Sequence, residues 1–192
     1  MKQRYLEIGP GDERIHGFET LNIFSGPNVD YVYDASKPLP FEDNTFDLIY
    51  ASHILEHIVW YQTEITLKEW VRILKSGGTL EVWVPNGLKI CQIMMGAELN
   101  GINDTAKDGW YKFNPRKDPY IWANGRIFTY GDGTGNPNHP NWHRAIFSSG
   151  FFKNLTLSNS FGSSSNFIAT GNVANLRYLF NLSSNSSHLL IK

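Results

Sequence analysis

With 192 residues, 17 Lys and Arg against 18 Asp and Glu, and a formal net charge of -1, the chain is long enough for one domain. It offers no general electrostatic pull toward nucleic acid or an anionic membrane. One cysteine, Cys91, excludes an internal disulfide, and the absence of a leader or of an apolar run near the ~18 residues of a membrane span predicts a cytoplasmic protein.

The first element is a short apolar strand, Tyr5-Leu6-Glu7-Ile8, that breaks at once into Gly9-Pro10-Gly11. Glycines after a strand let a ligand approach bare backbone, because there is no Cβ to hold it off. Glu7 at the mouth of that strand would repel a pyrophosphate. It would attract an ammonium group, by up to about 4 kcal/mol at ~4 Å for an effective dielectric near 20. Arg14 stands where the dinucleotide fingerprint needs its third glycine, so the loop suits a cationic nucleoside better than NAD.

Nine residues separate Gly11 from the next apolar run, Leu21 to Phe24, too few for an ordinary crossover helix with its loops. The first crossover helix is therefore expected to be reduced or absent. Short strands follow at Asn28 to Tyr33, ending on Asp34, and at Thr45 to Tyr50, after which Ser52 is placed as a helix cap. Helical spacing runs in two pieces from His53 to Leu74 and stops at Gly77-Gly78. A strand at Thr79 to Val84 and a buried helix at Leu88 to Leu99 complete an open α/β order, with the ligand edge where the strands end.

Residues 100–141 are rich in Gly, Asn and Pro yet crowd Trp110, Tyr111, Phe113, Tyr120, Trp122, Phe128 and Tyr130, with Trp142 just beyond. Disordered segments are poor in aromatics, so an ordered insertion is expected here, either a flap over the sheet or a lid over a substrate. His139 and His143 have the i, i+4 spacing of a helical metal pair. Pro140 lies between them and no third ligand is fixed by spacing, so no metal site is expected. A helix is predicted from Pro140 to Ser149, then a hairpin of Lys153 to Ser160 with Phe167 to Val173. That hairpin is preferred to a helix at Ser149 to Asn159, whose Thr156, Ser158 and Asn159 are poor helix formers. Ala174 to Leu182 is read as a last short helix, followed by a polar tail in which Leu189 to Ile191 can dock back.

The motifs Leu6-Glu7-Ile8-Gly9-Pro10-Gly11, Asp34-Ala35 with Leu39-Pro40-Phe41, Phe46-Asp47-Leu48-Ile49-Tyr50, His53-Ile54-Leu55-Glu56-His57-Ile58 and Arg72-Ile73-Leu74-Lys75-Ser76-Gly77-Gly78 occur in one order. Together they resemble the class I S-adenosylmethionine-dependent methyltransferases, particularly the small type 11 group, over roughly residues 4–86. The resemblance implies a Rossmann-like α/β fold with a seven-stranded sheet of order 3-2-1-4-5-7-6, strand 7 antiparallel. It implies S-adenosyl-L-methionine as cofactor. Glu7, Gly9 and Gly11 would face its methionine part, Asp34 and Ala35 the adenine amino edge, and Ser52 and His53 the sulfonium. Three departures stand out: Glu13 replaces the third glycine of the loop, the first helix is missing, and Phe24 stands where the ribose-binding acid at the end of strand two is expected, with only Asn22 nearby.

The expected activity is methyl transfer to a small-molecule or carbohydrate-like acceptor, with no nucleic-acid or membrane partner. His143, Tyr130 and His53 are the catalytic candidates, His143 first because it would project from a helix start; His57 reads as a core or capping residue. A non-catalytic binding or scaffold protein on the same fold is the alternative. A single domain spanning 1–192 is expected.

Overall fold

The computed structural model describes residues 2–105, 112–157, 165–171 and 175–182. Five parallel strands, β1 (Tyr5–Ile8), β2 (Glu19–Asn22), β3 (Tyr31–Val32), β4 (Phe46–Ser52) and β5 (Leu74–Pro85), are joined by a closing hairpin of β6 (Ser165–Gly171) and β7 (Asn175–Leu182). The sheet order is β3-β2-β1-β4-β5-β7-β6, with β7 antiparallel to β5. Buried apolar side chains of the central strands, among them Leu6, Ile8, Ile49, Ala51, Leu80 and Val82, form the main core.

Between β1 and β2 there is no helix, only turns, as the short spacing requires. β2 lies earlier than Leu21 to Phe24: Leu21 is buried, whereas Ile23 and Phe24 run past the strand end and are exposed. After β4 the chain makes two 3₁₀ turns, Leu55–His57 and Trp60–Gln62, before helix α1 (Thr63–Arg72). This helix buries Thr63, Thr66, Leu67 and Trp70, the i, i+3, i+4, i+7 stripe of a helix on a sheet. Full burial of one such leucine is worth about 1.5–3 kcal/mol.

Gly77-Gly78 does not stop that helix; the helix ends at Arg72 and β5 begins at Leu74. The glycines form a bulge instead. Phe46 pairs with Leu74 but Leu48 with Thr79, and Gly77 takes φ 81° inside the extra loop of chain.

Helix α2 (Gly87–Asn100) starts on an Asn86 cap that accepts from Lys89 N and ends on Gly101 at φ 64°. It is not a buried helix: only Gly87 and Ile90 are buried, and Leu99 is 72% exposed. The aromatic segment contains a helix of its own, α3 (Pro119–Phe128), with Asp118 accepting from Tyr120 N and Ile121 N and Pro119 in the first turn. Trp122 and Ala123 of α3 pack on Ile90 of α2 as a second small core. Trp110, Tyr111 and residues 183–192 lie outside the described residues.

The C-terminal expectations are overturned in three places. No helix spans Pro140 to Ser149, because its donors bond elsewhere: Arg144 N and Ala145 N both donate to Glu56 O, at 2.7 and 3.1 Å. The helix is α4 (Ser149–Leu157), burying Phe152 and Leu155, so tertiary burial overrides the weak helix formers. Asn175–Leu182, read as a helix, is strand β7, paired along its whole length with β5. No helix among the described residues is long and apolar enough to cross a membrane.

Candidate functional site

The carboxyl ends of β1, β2 and β4 open onto a cavity of about 720 Å³. This is where an open α/β sheet places its ligand, since the loops leaving the strands spread apart there. Gly9 and Gly11 line it from the β1 loop, Asn22 from the end of β2, Asp34 and Ala35 from beyond β3, and Ser52 and His53 from the end of β4. Of the eight positions expected at the cofactor, these seven come together.

Glu7 does not line the cavity. Its buried side chain sits beneath the loop, where Oε2 accepts from Ile15 N at 2.7 Å. With no helix to hold residues 9–18, the carboxylate anchors the loop backbone, which corrects the expectation that it faces a ligand ammonium. Arg14 closes the same loop through Asp30, at 2.6 Å, and Phe18 O.

The two glycines differ. Gly9, at φ 75°, leaves no room for a side chain: Ile54 occupies the place a Cβ would take. Gly11, at φ 62°, has nothing within 4 Å of that place. Gly9 is therefore a packing requirement, and Gly11 holds backbone bare toward open cavity.

Asp34 Oδ1 accepts from Ser36 N and Ser36 Oγ, at 2.9 and 2.7 Å, and among the described residues no hydrogen bond engages Oδ2. Asn22 Oδ1 accepts from Ile23 N at 2.7 Å, which uses part of its acceptor capacity, and a neutral amide accepts from a ligand less strongly than a carboxylate. Ser52 is no helix cap; it is the last residue of β4. Ile23, which sequence reasoning did not place at the site, and Phe24, which takes the place of the expected acid, add an exposed apolar rim. Their signal was the displaced strand end, which turns the next two residues out of the sheet.

His53 takes φ 55°, an uncommon conformation for a residue with a Cβ, and its N donates to Trp83 O at 2.9 Å. The turn that follows brings Glu56 beneath it, with His53 Nδ1 3.0 Å from Glu56 Oε1. The Glu56 side chain is 1% exposed and the His53 side chain 43% exposed. A ring whose Nδ1 hydrogen is held by a buried carboxylate presents the lone pair of Nε2 outward.

A second cavity of about 320 Å³ adjoins the first; His53, His57 and Asn141 line both. Tyr130 and His143 line only the second. His143 projects from an extended stretch and not from a helix. Its Nδ1 lies 3.2 Å from Ile127 O, and burial pushes its imidazole down to about 4. It is neutral at pH 7 and a weak base. Tyr130 packs edge-on against Phe113 and beneath the Lys112 ammonium, 3.8 Å from its ring centre. His139 and His143 share no helix and no cavity: His139 lines the larger one, where its Nδ1 accepts from Asn141 N. Glu56 and His57 were overlooked as site residues, although an acid inside the apolar run Ile54 to Ile58 signals a buried charge with a task.

Residues 13–82 match the family described as a methyltransferase domain. Over 55 residues the chain is 44% identical to the ubiquinone/menaquinone biosynthesis C-methyltransferase UbiE of Salmonella arizonae. That match takes in 29% of this chain and 21% of the relative, so only about a fifth of the curated relative's length is spanned. In fold the chain is similar to the CMeT domain of the citrinin polyketide synthase, with a TM-score of 0.54 at 12% identity, over 95% of this chain and 47% of that one. It is similar also to an O-methyltransferase family protein from Burkholderia thailandensis, with a TM-score of 0.53 at 9% identity, over 96% and 52%.

Proposed function

We propose that this chain, which carries a class I S-adenosylmethionine-dependent methyltransferase domain, transfers a methyl group from S-adenosyl-L-methionine to a small-molecule or carbohydrate-like acceptor held in the second cavity. One observation carries the reading: two cavities meet at His53, one lined by the motif residues expected at the cofactor and the other by Tyr130, His57 and His143.

The residues present fit the cofactor. Gly11 leaves open space over bare backbone, Asp34 has a carboxylate oxygen to accept from the adenine amino group, and the exposed ring of Phe24 suits a planar base. The cofactor supplies an already activated methyl group, so the protein's work is positioning and, for a hydroxyl acceptor, removal of one proton. His53 Nε2 is placed for that removal, because Glu56 holds the opposite side of the ring and stabilises the imidazolium that results. Tyr130 and Phe113 offer faces for a sugar or a planar ring. The segment 100–141 contributes His139 and Pro140 to the first cavity and Tyr130 to the second, which supports the lid reading of that insertion. The cofactor is a cytoplasmic metabolite, and the cytoplasm is the compartment this reading implies.

A second reading, binding of the nucleoside without turnover, draws on Asn22, a neutral amide whose oxygen also accepts from Ile23 N. Transfer of radiolabelled methyl to a panel of phenols, quinols and sugars tests the two. The transferase reading expects turnover with at least one acceptor, and a His53→Asn variant that keeps cofactor affinity but loses rate. Cofactor binding with no transfer to any of the panel favours the second.

A further inference from the structure

Glu56 is an unusual acid. Its side chain is 1% exposed, and Oε2 has no hydrogen-bond partner. A buried carboxylate needs a counter-charge or a full set of donors. Among the described residues the groups within ion-pairing reach are two imidazoles, His53 Nδ1 at 3.0 Å and His143 Nε2 at 3.9 Å, with no Lys or Arg. His143 turns no donor toward it. Its Nδ1 faces Ile127 O, and a carbonyl only accepts, so Nδ1 carries the hydrogen and Nε2 turns a lone pair toward the carboxylate. His57, whose ring meets that of His143 edge-on with centres 4.9 Å apart, adds a buried Nδ1 that has no partner either. Three electron-pair donors thus face one another with nothing positive between them.

We infer that Glu56, His57 and His143 bind one divalent transition-metal ion of the zinc type at the junction of the two cavities. One ligand atom from each lies within 4.8 Å of the others. Bonds of about 2.0–2.2 Å in a tetrahedron set ligand atoms roughly 3.4 Å apart, so the set closes by shifts of about 1 Å. Two imidazoles and a carboxylate suit zinc and not magnesium, which prefers oxygen ligands and water. The Ile127 carbonyl supplies the hydrogen bond that fixes a ligating histidine's tautomer, and the His53 ring orients the carboxylate through Glu56 Oε1. Three protein ligands leave a fourth position, and His57 and His143 both line the second cavity, onto which it opens. An acceptor oxygen there would be polarised beside the methyl donor. That use rests on the transferase reading, whereas binding of the ion does not.

The test uses untagged full-length protein stripped with a chelator and titrated with zinc alone, without any nucleoside. One ion per chain is expected, with shifts of the His57 and His143 ring nitrogens in the NMR spectrum while those of His16 and His139 stay in place. Cobalt in place of zinc should give the strong visible bands of a four-coordinate ion, lost in His143→Asn. The NMR readout needs no variant, so a poorly folding His143→Asn leaves the inference exposed. Failure to bind zinc, binding well below one equivalent, or shifts confined to other histidines would overturn it. Loss of methyl transfer with zinc binding intact would count against the transferase reading alone.

Discussion

The indole Nε1 of Trp70 donates to Ala35 O at 3.0 Å, tying the buried core of α1 to the loop after β3 that lines the larger cavity. Trp70 is fully buried, so a rigid helix holds the loop in addition to the loop's own Asp34 and Ser36 bonds. Trp70→Phe keeps most of the apolar volume and removes the donor. Stability should fall by about 1 kcal/mol or more, from the lost hydrogen bond and the volume change. Affinity for S-adenosylhomocysteine should fall several-fold in the folded variant. Calorimetry with a parallel urea titration reads both, and unchanged affinity would show that the loop holds itself.

The family resemblance places an acid at the position of Phe24, with Asn22 the nearby polar group, and the Asn22 oxygen already serves Ile23 N. Asn22→Asp keeps that bond and adds a second acceptor for a ribose hydroxyl. S-adenosylhomocysteine should bind about tenfold tighter, on the order of 1.4 kcal/mol. An unchanged or weaker Kd would place the ribose elsewhere.

Gly9 and Gly11 separate packing from ligand approach. Gly9→Ala drives a methyl into Ile54 and should destabilise the fold whether or not a cofactor binds. Gly11→Ala meets no protein atom, so beyond about 1–2 kcal/mol of left-handed backbone strain it should act on the cofactor. Melting temperatures with and without S-adenosylhomocysteine distinguish them: Gly11→Ala should lose most of the ligand-induced rise. An equal rise in Gly11→Ala and the parent would remove Gly11 from the site.

Glu69 accepts from Leu39 N and from two nitrogens of Arg72, and the guanidinium holds its carboxyl below the usual value of 4.5. A depressed carboxyl stabilises the fold above its unfolded pKa, and that contribution fades as pH falls through the folded value. Glu69→Gln should therefore cost about 1–2 kcal/mol near pH 7, and the gap to the parent should close well below pH 4.5. Urea midpoints across that range measure it; a gap independent of pH would assign the effect to packing.

The edge of the sheet that carries the larger cavity was legible because it depends on local rules: a strand breaking at glycines, acids and polar groups at strand ends, and too short a first connection for a helix. The ends of the elements were less so. Asp118-Pro119 is a helix start readable from sequence, but the glycines and prolines around it masked ten helical residues. The choice between helix and hairpin at 149–157 turned on burial of Phe152 and Leu155, which propensity does not contain. The Glu56, His57 and His143 cluster joins positions 86 residues apart through Arg144 N and Ala145 N bonded to Glu56 O. Spacing along the chain carries no sign of it.

Calorimetric titration with S-adenosylhomocysteine, set beside NAD and repeated on Asp34→Asn, tests the central claim most directly. Asp34→Asn keeps the oxygen that accepts from Ser36 and replaces the other by an amide that cannot accept from the adenine amino group. The account predicts one S-adenosylhomocysteine per chain, affinity lower by about 1–3 kcal/mol in the variant, and no binding of NAD. Absence of S-adenosylhomocysteine binding by the folded parent, or NAD bound as tightly, would contradict it.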